Sequence, residues 1–268
     1  MIFFEALTEF FRMAVCRPDF EINKDMSLAQ LTKWIKSDLD SSIPLLEAEY
    51  ERIVSQTDDL ADDPFFKKNF VQDEHRSLLM SNILQTALIE TPDFGGSEAN
   101  QQSQYDLMFA NIIRKFVTVM PSLKIDRNVY EKESDCTDNT KKPDFLLYFL
   151  QILIMWGEEK ILSNGGLKAA TQDLVDKLGV MSSDFYGDIP FLFAYSACNN
   201  RFQMYAISRF ASEPWHQLFD LSLASPVNRA KLIVYTFKLM RLIKLYEPLI
   251  EKIGLNDGKV QIYYKLST

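Results

Sequence analysis

The chain of 268 residues, 47% of them hydrophobic, is long enough to bury a sizeable core as one large domain or two modest ones. A formal net charge of -8 and a pI near 5.0 exclude a generic polyanion binder, because such proteins carry a strong basic excess. The acidity is uneven: residues 1–100 hold 9 Lys and Arg against 19 Asp and Glu, leaving 20 against 18 for the remainder.

The opening MIFFEALTEFFRMAV is apolar, but Glu5, Glu9 and Arg12 interrupt it, which predicts an amphipathic helix and not a signal peptide. No run reaches the roughly 18 uninterrupted apolar residues of a membrane span, so no membrane partner is expected. Cys16, Cys136 and Cys198 make no CxxC pair and are too few for a disulfide framework, while His75 and His216 leave little for a zinc site. An intracellular location, cytoplasmic or nuclear, is the expectation, and any metal is expected to take oxygen ligands.

From Met1 to Glu90 apolar residues recur at helical spacing, as in Leu28, Leu31, Trp34 and Ile35 and then Leu45, Leu46 and Ile53. Breaks fall at Arg17-Pro18-Asp19, at Ser41 to Pro44 and at the acidic turn Asp58 to Pro64. TPDFGGSEANQQ, Thr91 to Gln102, is the best boundary in the chain. The expected organisation is therefore a helical, acidic region over 1–95 and an α/β domain over 96–268. The acidic region is expected to meet a protein partner or to regulate the rest.

Beyond the boundary a helix is predicted from about Ser103 to Met120, stopped by Pro121. Leu123 to Glu131 follows as a strand, and Ser134 to Lys142 as a polar loop. KKPDFLLYFLQILIMWGEEK, Lys141 to Lys160, carries no charge between Asp144 and Glu158 and is long enough for two strands with a tight turn near Leu150-Gln151. A helix after Asn164-Gly165-Gly166 reaches Leu178. IPFLFAYSA and RFQMYAIS form a hairpin turned by Asn199-Asn200, a pair that tolerates positive φ. Val227 to Ile253 closes the chain as a long helix. Its Arg229, Lys231, Lys238, Arg241 and Lys244 read either as a solvated face or as a stripe that tracks a phosphate backbone.

Alternation along a strand puts Glu158 and Lys160 on one face with Ile154 and Trp156, and Glu159 on the other. If the preceding strand is the neighbour, its far end brings Asp144 beside Glu158. Two carboxylates and a carbonyl suit a hard divalent cation, and a lysine two residues on points at the same water or phosphate, which is the chemistry of phosphodiester hydrolysis. The bland alternative is a strand pair capped by solvated charges with a weak Glu-Lys pair. Trp156 is either core or a ring on which a base stacks. There is no GxGxxG loop or His-Arg-Asp loop for a kinase, and no Gly-x-Ser-x-Gly elbow for acyl transfer.

Pro143-Asp144 followed by Glu158-Glu159-Lys160 at the end of the next strand resembles the PD-(D/E)XK signature of restriction-endonuclease-like nucleases. The order of helix, three strands, helix and strand is similar to that superfamily's core. IPFLFAYSACNNRFQMYAI and LFDLSLASPVNRAKLIVYTFKLMRLIK look like the nuclease-like module of Crinkler-type effector proteins from fungi and oomycetes, although no LFLAK-like translocation segment opens the chain. The resemblance implies a mixed sheet flanked by helices, Mg²⁺ or Mn²⁺ as cofactor, and DNA or RNA as substrate. Asp144 and Glu158 would be metal ligands, Glu159 would offer its backbone carbonyl, Lys160 would be the catalytic lysine, and Lys141 and Lys142 would bind nucleic acid. The carboxylate that the first helix often adds has no clear counterpart: Glu98 and Asp106 are off position, and Gln101 stands near the expected place. A catalytically inactive nuclease fold that binds protein or nucleic acid is the alternative.

Overall fold

Strands in the second half of the chain pair with their sequence neighbours, so the sheet order follows the chain. The computed structural model describes residues 26–73, 84, 86–90, 92–95, 97–128, 142–177, 186–208 and 214–256. Its main sheet is six-stranded: β3 (Leu123–Arg127), β4 (Phe145–Phe149), β5 (Ile152–Lys160), β6 (Phe191–Cys198), β7 (Arg201–Ser208) and β8 (Trp215–Ser222), in that spatial order. Every pairing is antiparallel except β5 with β6, which is parallel and is bridged by the helix α7 (Gly166–Asp176). A parallel neighbour needs such a crossover, whereas antiparallel neighbours need only a turn. The turns are those expected, at Leu150-Gln151 with φ of 50° and 68°, and at Asn199-Asn200 with Asn199 at φ 52°. The chain is thus a mixed α/β structure.

Before the main sheet come α1 (Leu28–Ile35), β1 (Ile43–Leu45), α2 (Glu47–Gln56), α3 (Asp58–Ala61), α4 (Pro64–Asn69) and β2 (Phe70–Gln72), with β1 and β2 paired in parallel. Next comes α5 (Glu98–Tyr105), which continues through a π-helical turn (Asp106–Ala110) into α6 (Asn111–Phe116). This helix begins at Glu98, earlier than Ser103, because the Ser97 side chain caps it by accepting from the Asn100 N–H. The closing helix is broken in two, α8 (Pro226–Lys244) and α9 (Glu247–Asn256).

The sheet is covered on both faces. On one, α7 lies over β5 and β6, with Thr171 and Ser196 hydroxyls 3.0 Å apart. On the other, an aromatic column runs through Phe109, Tyr195, Phe202, Phe219 and Tyr235 and joins the π-helical turn and α8 to the strands. The apolar core is continuous from Leu31 to Ile250.

The cations of α8 form neither a solvated face nor a phosphate-tracking stripe. Arg229, Lys238 and Arg241 are buried. Arg229 donates to the backbone carbonyls of Ala87 and Leu88, Lys238 reaches Ser37 Oγ at 2.9 Å and lies over the Trp34 ring, and Arg241 pairs with Asp40. Each finds its partner in the first third of the chain, and that is why the helix is buried nearly all round. Burial draws the Arg229 guanidinium down to about 10.

Candidate functional site

Asp144 stands at the last position before β4, opposite the end of β5. Its N–H donates to the Gly157 carbonyl at 3.1 Å, and its Oδ2 accepts from the Glu159 N–H at 2.7 Å, so the side chain is fixed against the neighbouring strand. Alternation then works as the sequence predicts. Glu158 and Lys160 share the face covered by α7, and Glu159 points the other way.

Glu158 is fully buried, at 0% exposure. One oxygen, Oε2, accepts from Lys177 Nζ at 2.6 Å, while Oε1 has no hydrogen-bond partner among the described residues. An orphaned carboxylate oxygen in an interior costs stability unless something else satisfies it. Burial pushes the Glu158 carboxyl up to about 8, and the adjacent Asp144 charge adds to the shift, against the opposing pull of Lys177 and Lys160. Lys160 does not pair with Glu158. It reaches Asp173 of α7 at 3.0 Å. Burial draws the Lys160 ammonium down, but Asp173, Asp144 and Glu158 outweigh that and hold it above its ordinary value. The weak Glu-Lys pair within the strand is thus replaced by two pairs to the helix.

On the opposite face the Glu159 side chain is saturated. Arg127 Nη1 lies 3.1 and 3.0 Å from its two oxygens, and the Tyr195 hydroxyl donates at 2.6 Å. Arg127 also binds Asp106 through Nε and Nη2, at 2.8 and 2.5 Å, and sends Nη1 to the Asp144 carbonyl at 3.3 Å. Gly157 makes this possible, since a Cβ there would lie 2.2 Å from the Tyr195 ring.

The remaining expected residues are placed as follows. The Lys142 side chain is exposed, and its carbonyl accepts from Lys177 Nζ at 3.1 Å; Lys141 lies outside the described residues, as do His75, Cys16 and Cys136. His216 is bound 3.0 Å from the Thr32 hydroxyl, as a satisfied polar side chain. Trp156 is core, packed edge-on against Trp215. No carboxylate of the first helix reaches Glu158: Asp106 is held by Arg127, Glu98 lies 3.4 Å from Asn164 Nδ2, and Gln101 bridges Phe94 O and Asn199. Lys177, Asp173, Arg127 and Tyr195 were not singled out by the sequence. Asp173 and Lys177 carried a signal, being one turn apart on α7 and opposite in sign to Lys160 and Glu158. Arg127 and Tyr195 carried none that is separable from ordinary strand residues.

Two carboxylates meet here, and among the described residues no group of three or more His, Cys, Asp or Glu side chains is arranged to hold a metal. The pair still fits a hard divalent ion, since the Glu158 oxygen is unpartnered and buried beside Asp144 and such ions complete their shell with carbonyls and water. Past Glu158 the same face continues as a polar row, with Ser196 and Gln203 bonded in sequence to Asp220, which also pairs with Arg201. Compared with protein-family models, curated proteins and solved structures, the chain has no match.

Proposed function

We propose that this chain is a metal-dependent nuclease of the PD-(D/E)XK type, hydrolysing phosphodiester bonds of DNA or RNA with Mg²⁺ or Mn²⁺ on a restriction-endonuclease-like fold. The observation that carries this reading is the Glu158 oxygen, buried without a partner beside Asp144 at the joined ends of two adjacent strands. Supporting it is the run of helix, three antiparallel strands, crossover helix and parallel strand from Glu98 to Cys198.

In this mechanism Asp144 and Glu158 hold the ion, with the Glu159 carbonyl. The bound ion supplies polarisation of the phosphoryl oxygen and activation of a water. Lys160, kept as an ammonium by Asp173 and the two acidic ligands, offsets charge that builds on the phosphate and is not the proton acceptor. The exposed Lys142 offers the nucleic-acid backbone a cation.

Titration of Mg²⁺ and Mn²⁺ into the protein beside Asp144→Ala and Lys160→Ala, with plasmid, single-stranded DNA and RNA as substrates, tests the proposal. Metal-dependent cleavage lost in both variants is expected. A second reading, an inactive nuclease fold that binds protein or nucleic acid, is favoured by one observation: the first helix supplies no carboxylate, and Gln101 is bound elsewhere. Absence of both cleavage and metal binding would select it. No helix among the described residues is long and apolar enough to cross a membrane.

A further inference from the structure

Lys177 caps the C-terminal end of α7, where its backbone N–H is taken up by the Asp173 and Val175 carbonyls, and its side chain turns back to the sheet. It is buried, at 8% exposure. The ammonium ties together two things at once, the Glu158 carboxylate and the Lys142 carbonyl, two residues before Asp144. The arrangement is crossed: on the helix Asp173 and Lys177, on the strand Lys160 and Glu158, each charge facing its opposite.

Arg127 and Tyr195 between them satisfy both carboxylate oxygens of Glu159. At Glu158, Lys177 satisfies one and leaves the other open. Its ammonium therefore neutralises Glu158 without closing it, and two cations that share one carboxylate in an interior repel each other strongly. We infer that Lys177 is a built-in competitor of the divalent ion, occupying Glu158 when the centre is empty and setting how tightly the centre loads. The inference rests on the metal reading above. It gives a function to a cation that hydrolysis itself does not need, since Lys160 already acts on both Asp144 and Glu158.

Mn²⁺ binding to the full chain, followed by loss of the free-ion electron paramagnetic resonance signal, reads this directly and without turnover. Lys177→Met keeps the stem and drops the ammonium, and it should bind Mn²⁺ about tenfold more tightly than wild type. Lys177→Arg keeps the charge and offers Glu158 a planar fork for both oxygens, so it should bind about tenfold more weakly. The arginine variant decides the matter if the methionine variant does not fold. Affinity equal to wild type in either folded variant, or weaker in Lys177→Met, overturns the inference; if Asp144→Asn meanwhile binds none, the metal centre stands without it. No Mn²⁺ bound at millimolar concentration by any of these proteins overturns both.

Discussion

Glu158 and Glu159 are neighbours on one strand, 0% and 1% exposed, and they differ in almost everything else. Glu159 lies on the face opposite α7 and has a guanidinium and a phenol on its two oxygens. Glu158 faces α7 and has one ammonium on one oxygen. Burial alone therefore does not tell the two carboxylates apart. Saturation does: a filled set of partners leaves nothing for a ligand to do, whereas an open oxygen in a dry site is a standing cost that a ligand can remove.

The contrast can be broken first on the saturated face. Arg127→Met strips Glu159 and Asp106 of their shared cation, and leaving a buried carboxylate unpaired should cost about 3–5 kcal/mol in urea unfolding. Burial already pushes Glu159 up to about 7, against the pull of Arg127 and Tyr195, so loss of Arg127 raises it further. The variant should consequently be least stable at high pH and recover as Glu159 takes up a proton. An unchanged unfolding midpoint would mean that the two faces are not different in kind.

On the open face the expected effect is smaller and shows in the pH profile. Burial pushes the Glu158 carboxyl from its ordinary 4.5 up to about 8 in the fold, against the pull of Lys177 and Lys160. Between these values the folded chain binds the extra proton, so stability falls as pH rises from about 4.5 to about 8. Glu158→Gln cannot titrate and should flatten that slope, measured as midpoint against pH without metal. A slope equal to wild type would assign the pH dependence to Glu159 or to another group.

The smallest effect belongs to Asp173→Asn. Its pair with Lys160 is partly exposed, 38% and 21%, and its loss should move stability by less than about 1 kcal/mol. Because Asp173 helps to hold the Lys160 ammonium above its ordinary value, the alkaline limb of any cleavage profile should move to lower pH. A limb that stays in place would remove Lys160 from the chemistry.

How much of this was legible follows from distance along the chain. The face of Glu158 and Lys160, the opposite face of Glu159 and the turns at Leu150-Gln151 and Asn199-Asn200 follow from period and turn chemistry within a few residues. β8 was missed because WHQLFDLS mixes His, Gln and Asp into its apolar positions, as suits a strand with one polar face. Lys177 was missed because its partner Glu158 lies across a strand-to-helix crossover. The burial of Lys238 and Arg241 could not be read at all, since each meets a residue 201 positions away, and no local pattern carries such a contact.

Those long contacts bear on how the molecule comes to exist. A ribosome delivers Trp34, Ser37 and Asp40 well before their cations on α8. Until Arg229 emerges, the carbonyls of Ala87 and Leu88 lack the guanidinium that binds them. The segment from α1 to Asp40 is therefore synthesised well before it is completed, and contacts of such separation make for slow folding. A chain cut short before α8 would lose more than α8 and α9, for Trp34, Ser37, Asp40 and the carbonyls of Ala87 and Leu88 would be left without the charges they receive.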